Sequence, residues 1–430
     1  MINLHIYYIS NQKQISHQFP TFMYNAENEL LMNDTQKMTI RQRLLAVLEG
    51  RKPDRIPLIS RLDFWYNGLK YQAKLPAEYS DLPLKEVHQK TGFGQEEWFF
   101  PCALRLRNAE LAITHEGKEI FRQTDPEVTN FPSLWGMVPS DRPGTTDIEI
   151  TTPVGRLFSR QKLLIESLES GAWRPLTIIH PIREEVDFKT CEYLLEHCEF
   201  VPRFEKHFQR DSMIGEGGFL VPVLNRTPFQ CLLLDGLGEM AMFYALHDSP
   251  GRVERLMALM DEVNSHTLQC LNDFQVPYIE FCENVDVSMA NPRLFSQYLL
   301  PAYQRYAEIL HSQGKKFGAH LDGNLQGLVP LIAESGLDVC ESFTPAPQTA
   351  CALEDAWHGW QNGPLIWGGI PSCFLEERTS EAEFHSRVDE TLALIGNRPV
   401  VLGIADAVMP DNQISRLNWL VERIEDFKLN

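Results

Sequence analysis

Short apolar runs alternate with amphipathic segments along much of the chain, most regularly from residue 213 onward. Apolar runs bounded by glycine, proline or polar residues predict buried strands, whereas apolar positions three and four residues apart predict helices. Candidate strands lie near residues 57, 214, 279, 317, 338, 366 and 402. With an eighth strand expected in the N-terminal half, the pattern favours an α/β fold, a (β/α)8 TIM barrel, over an open doubly wound sheet.

The stretch from residue 316 to residue 341 shows the repeating unit most clearly. A short strand ends on His320 and Asp322, a helical pattern over 325–335 ends at Gly336, and a second strand follows. Similar patterns predict helices over 237–245, 250–273, 292–311 with a kink at Pro301, 352–360, 381–395 and 412–427. Parallel strands joined in this way place their carboxyl ends on one face, where ligands bind.

The N-terminal half departs from this pattern. Residues 112–162 contain alternating runs with glycine turns, ITHEGKEIFRQT and IEITTPVGRLFSR, which predict a β-hairpin insertion in the barrel. Residues 1–37 lack sustained periodicity and are expected to be a poorly ordered N-terminal extension. A helical pattern begins at Thr39 and ends at Gly50, so the barrel domain is assigned to residues 38–430.

Composition narrows the classes of partner. The 430 residues carry a formal net charge of −19 with a pI near 5.2, which disfavours nucleic acid and anionic membrane as partners. Nine cysteines are scattered without a CxxC pair, as expected of reduced thiols. The N-terminal stretch is a poor signal peptide, and no run approaches about 18 apolar residues. We therefore expect a cytoplasmic protein that acts on a small molecule, and leave open whether it is a homodimer.

Polar side chains collect at the predicted strand ends. Those expected on one face are Arg61, Asp63, Glu216, Glu280, Cys282, Glu283, His320, Asp322, Glu341 and Asp406. Buried carboxylates are costly without compensation, so this acidic ring predicts a metal, a cationic intermediate or raised pKa values for acid–base catalysis. Glu280, His320 and Asp322 could supply three zinc ligands. Taken singly, each carboxylate could instead cap the helix that follows it.

Several segments resemble the uroporphyrinogen decarboxylase (URO-D) superfamily. MTIRQRLLAVLEGRKPDRIPLI is similar to its opening helix and first strand, NPRLFSQYLLPAYQRYAEILHSQGKKFGAHLDGN to its central stretch, and LGIADAVMPDNQ to its last strand and loop. TTPVGRL followed by HPIREEVDF resembles segments of the methyltransferase-like branch, to which the chain looks closer than to the true decarboxylases. The resemblance covers about residues 38–427 and implies a TIM barrel with its active site at the carboxyl ends of the strands.

Two departures from the family patterns bear on the chemistry. The decarboxylases carry an arginine-rich MRQAGRY segment, where this chain has SRLDFWYNG and keeps only Arg61, too little charge for a tetrapyrrole with many carboxylates. The thiol methyltransferases bind zinc through His-x-Cys and a distant Cys. His320 matches, but Asp322 stands at the first cysteine position and Asp406 lies near the second. The resemblance therefore implies a harder His–Asp–Asp site.

Three functions remain in competition. The first is a corrinoid-linked methyltransferase or demethylase that moves a methyl group between a small substrate and cobalamin on a partner protein, with zinc as the candidate metal. The predicted catalytic residues are Arg61, Asp63, Glu216, His320 and Asp322. The predicted metal ligands are Glu280, His320, Asp322 and Asp406. The substrate-binding wall is predicted to consist of Trp65, Tyr66 and Phe219.

The second function is a cofactor-free decarboxylase that acts on a porphyrinogen or a smaller acid. In that enzyme Asp63 would stabilise a protonated intermediate and Arg61 would hold the acid. The third is a barrel that binds a ligand without turnover. Metal content separates the first hypothesis from the second, because the decarboxylase needs no cofactor.

Overall fold

Eight parallel strands form the centre of the molecule. The structure is a computed structural model that describes residues 37–123, 128–129, 142–396 and 398–427. In sheet order the strands are Ile59–Ser60, Gly94–Phe99, Gly218–Leu224, Tyr278–Phe281, Lys316–His320, Val339–Phe343, Leu365–Pro371 and Val400–Ala405. A bridge between Leu58 and Leu402 joins the last strand to the chain entering the first. The predicted (β/α)8 TIM barrel is thereby confirmed.

The helices cover the outside of the barrel, as the alternating pattern predicts. The α-helices are Ile40–Leu48, Asp63–Tyr71, Leu84–Thr91, Ile165–Glu169, Glu185–Glu196, Phe204–Ile214, Pro228–Cys231, Glu239–Asp248, Pro250–Cys270, Pro292–Leu294, Leu300–Ser312, Val329–Ala333, Leu353–Gly359, Glu381–Ile395 and Ile414–Asp426. The segment predicted as one helix kinked at Pro301 contains a π-turn, Phe295–Leu299. Proline cannot donate the backbone hydrogen bond that a regular helix requires there.

The part of the chain between the second and third barrel strands forms two antiparallel sheets. One has five strands in the order Lys118–Gln123, Glu110–His115, Gly144–Thr152, Gly155–Leu163 and Leu176–Ile179. The other joins Cys198–Pro202, Cys102–Leu106 and Val128–Thr129. In the longest hairpin, residues 144–163, alternate side chains such as Ile148, Ile150 and Leu157 are buried, which is the period-2 pattern of a sheet with one covered face.

The amino ends of the barrel strands are closed by the helix Ile40–Leu48. Thr39 caps this helix, because its hydroxyl accepts a hydrogen bond from the backbone N–H of Gln42. The buried face of the helix packs Leu44, Val47 and Leu48 into an apolar cluster with barrel residues. This end of the barrel is therefore filled with hydrocarbon.

Two strand predictions need correction. The strand expected at residues 213–216 is instead the end of the helix Phe204–Ile214, and the barrel strand begins at Gly218. Gly215, with φ of +67°, ends the helix, and the buried run that follows is the true strand. The missing eighth strand is Gly94–Phe99, in which Gln95, Glu96 and Glu97 interrupt the apolar pattern.

Residues Met38–Asn430 form one compact unit. The prediction that residues 1–37 form an N-terminal extension lies, apart from Lys37, outside the described residues. Within the part of the chain that is described, every helix is too short or too polar to cross a lipid bilayer.

Candidate active site

His320 ends the fifth barrel strand and is completely buried. Its Nδ1 lies 2.5 Å from Oε2 of Glu341, on the neighbouring sixth strand. The ring of Trp98 packs edge-on against the imidazole, with ring centroids 4.9 Å apart. Nε2 has no hydrogen-bond partner among the described residues. One side of the imidazole is thus held firmly, while the other presents a nitrogen toward the mouth of the barrel.

Two carboxylates face that nitrogen. Oδ2 of Asp322 lies 3.7 Å from Nε2 of His320, and Oδ1 of Asp406, which follows the last barrel strand, lies 3.5 Å from it. Asn284 donates a hydrogen bond to Oδ1 of Asp322 over 3.0 Å, and the Ser342 hydroxyl donates one to Oδ1 of Asp406 over 3.1 Å. The two carboxylates are therefore oriented by side chains from other strands.

Arg61 brings the first barrel strand into the same site. Its guanidinium contacts Oδ2 of Asp63 at 3.1 Å and Oδ1 of Asp406 at 3.9 Å. It also lies over the rings of Phe64 and Trp98, 4.7 and 4.9 Å from their centroids. Nη1 makes no hydrogen bond within the described part of the chain, although it is buried. The first and last strands of the barrel therefore meet at this site, as the sequence predicts.

Carboxyl groups also point into the barrel below the mouth. Glu280 is fully buried, accepts a hydrogen bond of 2.7 Å from the Tyr278 hydroxyl, and has no partner for Oε1 among the described residues. Glu96 accepts a bond of 3.0 Å from the Trp98 indole. Burial and then the nearby Glu341 raise the pKa of Glu96 and of Glu280 well above the usual value. Both groups are expected to be neutral acids at pH 7.

At the mouth, the pKa shifts favour charged side chains instead of neutral ones. Burial alone would lower the pKa of His320, but the charges of Glu341 and Asp322 outweigh it and raise that pKa well above the usual value. Burial alone would raise the pKa of Asp322, but the charge of His320 and the bond from Asn284 lower it to about 2. In the metal-free protein, His320 is thus an imidazolium surrounded by carboxylates.

Two sets of side chains within the described residues could hold a metal. One is Glu280, His320 and Glu341, and the other is His320, Asp322 and Asp406, with the ligand atoms of each set within 4.8 Å of one another. The first set is poorly suited, because Glu341 already holds Nδ1 of His320 and the Tyr278 hydroxyl holds Glu280.

The second set fits a metal better. A tetrahedral ion with ligands at about 2.1 Å separates neighbouring ligand atoms by roughly 3.4 Å. The observed separations of 3.5 and 3.7 Å between Nε2 of His320 and the two carboxylates are close to that value. The contact of Nδ1 with Glu341 is the carboxylate–imidazole support that metal-binding histidines commonly have. Glu280, which was predicted as a metal ligand, is not part of this better-fitting set.

Glu216 does not belong to this site. It lies in the short turn Gly215–Gly217, before its barrel strand begins, and accepts a hydrogen bond of 2.6 Å from Thr39 of the opening helix. The strand Gly218–Leu224 runs from this end toward the mouth, so Glu216 lies at its amino end. Its predicted catalytic role followed from placing the strand too early and is withdrawn.

The predicted aromatic wall is also wrong. Trp65 is buried against Tyr79, with ring centroids 5.5 Å apart, and the Tyr66 hydroxyl donates to the carbonyl of Leu82. Both lie on the helix Asp63–Tyr71, whose apolar face packs into the surrounding core. Phe219 is buried near the amino end of its strand, 5.9 Å from Arg41. The three aromatics are packing residues.

Two important residues were given no role by sequence reasoning. Trp98 contacts His320, Arg61 and Glu96, but its strand was not recognised. Glu341 was expected on the correct face without a function. The available signal was the adjacent Glu96, Glu97 and Trp98 in the short strand Gly94–Phe99, because carboxylates are unusual in a barrel interior filled by packing alone.

Part of the chain matches a known protein family. Residues 236–427, somewhat less than half of the chain, match the family model described as uroporphyrinogen decarboxylase (URO-D). The matched part carries His320, Asp322, Glu341 and Asp406, and the match agrees with the predicted resemblance to the URO-D superfamily. No curated protein sequence matches the chain.

Among solved structures, a methyltransferase from Methanosarcina mazei is similar, with 15% identity, a TM-score of 0.46, and coverage of 91% of this chain and 99% of that one. Endo-glycoceramidase II from Rhodococcus sp., in a cellobiose-like imidazole complex, aligns with 11% identity and a TM-score of 0.31. That alignment covers 50% of this chain and 65% of the other.

Proposed function

We propose that this protein is a zinc-dependent methyltransferase or demethylase of the methyltransferase-like branch of the URO-D superfamily. It would move a methyl group between an oxygen atom of a small substrate and a corrinoid, cobalamin, carried by a partner protein. The centre of the proposed site is His320 with Asp322 and Asp406, and Arg61 and Trp98 border it.

The observation that carries the proposal is the environment of Nε2 of His320. A buried imidazole nitrogen without a hydrogen-bond partner, in the described part of the chain, leaves a costly polar atom unsatisfied. Two carboxylates at 3.5 and 3.7 Å would complete a three-residue ligand set around one ion. A catalytic zinc site has three protein ligands of this kind and keeps one position for substrate.

The ligand types support an oxygen-containing substrate. Zinc in such a site acts as a Lewis acid that polarises a bound group. A set of one imidazole and two carboxylates is harder than one with thiolates, so it suits an ether or hydroxyl oxygen better than a sulfur. Asn284 and Ser342 orient the two carboxylates, and Glu341 holds the tautomer of His320 that leaves Nε2 free.

Elemental analysis and a methyl-transfer assay test this proposal together. Protein purified without chelator is expected to contain one zinc per chain. Addition of free cob(I)alamin and a methoxylated donor should then produce the absorbance change of cobalamin methylation, and chelation should abolish it. Asp322→Cys should bind zinc more tightly, because thiolate is a stronger donor to this ion. A protein without stoichiometric metal, whose Asp322→Cys variant also acquires none, contradicts the proposal.

That same negative result would favour the decarboxylase alternative. In it, Asp322 and His320 would act as a charged pair near a cationic intermediate. The surroundings of Arg61 weigh against it, since Asp63 and Asp406 already offset the guanidinium that would hold the substrate acid in that enzyme.

A further inference from the structure

Arg174 is a positively charged group at the barrel mouth that the proposed chemistry does not use. It lies between the helix Ile165–Glu169 and the strand Leu176–Ile179. Its guanidinium is 6.0 Å from the centre of the Trp98 ring, the same ring that contacts His320 and Arg61. Arg174 therefore stands beside the candidate active site, one aromatic ring away from the imidazole.

The backbone of Arg174 is fixed in place. Its N–H donates to the Ser167 hydroxyl, which in turn donates to the Arg174 carbonyl, at 3.1 and 2.9 Å. Just before it, Gly171 has φ of +78° and approaches the Phe64 carbonyl so closely that a Cβ would lie 1.9 Å from the oxygen. The segment therefore packs closely against the helix that follows the first barrel strand, and this contact fixes the position of the Arg174 backbone.

Among the described residues, the charge of Arg174 differs from its neighbours in having no ion pair. Arg226, elsewhere at the mouth, contacts Asp235 at 3.1 Å, and Arg61 contacts Asp63 at the same distance. In the described ranges, no carboxylate lies within ion-pair distance of Arg174, which is only partly exposed. The charge nevertheless acts on the mouth. Burial raises the pKa of the Cys282 thiol at the end of the fourth strand, and Arg174 is among the cations that oppose this rise.

We propose that Arg174 binds a carboxylate of the substrate, above Trp98, and so selects small methylated monocarboxylic acids over neutral compounds. A planar guanidinium binds a carboxylate with two parallel hydrogen bonds, and the indole offers a flat surface to the body of the substrate. Asp63, Asp322 and Asp406 already make the mouth acidic, so one unpaired cation suits a monoanion better than a dianionic phosphate. This inference extends the proposed function by naming a substrate class, but its test needs neither metal nor methyl transfer.

The test measures binding to chelator-treated protein by calorimetry. Two matched pairs of probes are used, methoxyacetate with methoxyacetamide, and 4-methoxybenzoate with 4-methoxybenzamide. In at least one pair the acid should bind about tenfold or more tightly than the amide, which is the range of a charge-assisted hydrogen bond. Arg174→Gln should abolish this preference, and Arg174→Lys should retain part of it, because lysine keeps the charge without the planar fork.

Arg156→Gln is the matched control. Arg156 lies in the strand Gly155–Leu163, is 63% exposed and contacts Glu149 at 3.2 Å. Leu176, which follows Arg174 closely in the chain, pairs with Lys162 at the other end of that strand. Removal of Arg156 should leave the acid preference unchanged. The inference is overturned if neither acid is preferred by the wild-type protein, if Arg174→Gln keeps the preference, or if inorganic phosphate competes more strongly than the acids. None of these outcomes depends on zinc, so the proposed function stands or falls separately.

Discussion

Two arginines at opposite ends of the barrel show how differently its two ends use charge. Arg41, on the helix that closes the amino ends of the strands, donates to both oxygens of Asp211, at 2.5 and 2.8 Å. Its Nε also donates to the backbone carbonyls of Gly215 and Gly218. Arg61, at the mouth, makes one hydrogen bond, to Asp63, and leaves the buried Nη1 without one in the described residues.

The two arginines differ in how completely their side chains are hydrogen-bonded, and this difference separates a structural role from a functional one. At the closed end, the guanidinium of Arg41 is paired with Asp211 and two backbone carbonyls beside an apolar filling, as expected of a group selected for stability. At the mouth, Arg61 and His320 both keep nitrogen atoms unsatisfied within the described part of the chain. Unsatisfied buried groups cost stability, so two such cations beside the carboxylates of one site are expected to be completed by a ligand.

The largest expected effect comes from removing the imidazole at the mouth. His320→Ala should lose nearly all bound zinc and reduce methyl transfer by more than about 100-fold, because it removes one of three ligands and the only nitrogen donor among them. Metal content by mass spectrometry and the cobalamin assay measure this. A variant that retained stoichiometric zinc would move the metal site elsewhere.

A smaller loss is expected at the residue behind the imidazole. Glu341→Gln should weaken zinc binding by about 10- to 100-fold, because the amide supports Nδ1 of His320 less strongly than the carboxylate does. Competition with a fluorescent chelator measures the affinity. The matched variant Glu283→Gln alters another buried carboxylate, which accepts hydrogen bonds from Thr227 and not from His320. It should leave zinc affinity unchanged; equal losses in both would point to a general disturbance of the barrel.

Much of the fold could be predicted because hydrophobic period is a local property. The helix over 381–395 has the predicted bounds, and the capping box of Thr39 is readable directly from the sequence. The strand Gly94–Phe99 could not be found this way. Its interior-facing Glu96 is tolerated only through the Trp98 indole and burial as a neutral acid, both of which depend on the folded barrel.

The site was predictable to the extent that strand ends were correctly placed. Asp322 and Asp406 follow strands recognised in the sequence, and they meet at His320 as expected. Glu216 was misplaced by a shift of a few residues, which moved it from one end of the barrel to the other. Arg174 gave no local signal, because its relation to Trp98 arises from a loop that folds over the mouth.

The pH dependence of zinc binding should sharpen the contrast between the ends. The raised pKa of His320 means that zinc must displace a proton at neutral pH, so affinity should rise about tenfold per pH unit and level off above that pKa. Asp322, with a pKa of about 2, is already ionised and adds no dependence. Titrations between pH 5.5 and roughly 9 measure this. An affinity independent of pH would show that Nε2 is not a ligand.

A substitution at the closed end should instead change the stability of the fold. Arg41→Gln leaves Asp211 without its bidentate partner and should cost about 1–2 kcal/mol, a fall of a few degrees in melting temperature, with zinc content unchanged. Arg61→Gln should show the reverse, with little change in melting temperature and a clear loss of activity. Thermal unfolding measured beside the cobalamin assay distinguishes the two. If both variants lost stability and neither lost activity, the arginine at the mouth would have the same structural role as the one at the closed end.

The smallest effect is expected from Glu216→Gln. The amide oxygen can still accept the hydrogen bond from Thr39, and the site at the opposite end of the barrel does not include this residue. Zinc content should be unchanged, activity within about twofold of the wild-type value, and the melting temperature within about one degree, as for a typical surface substitution. Asp322→Asn, the same loss of a carboxylate at the mouth, should sharply reduce zinc binding. A loss of metal or activity in Glu216→Gln similar to that in Asp322→Asn would mean that carboxylates at both ends contribute to one site. The division between a closed structural end and an open reactive end would then fail.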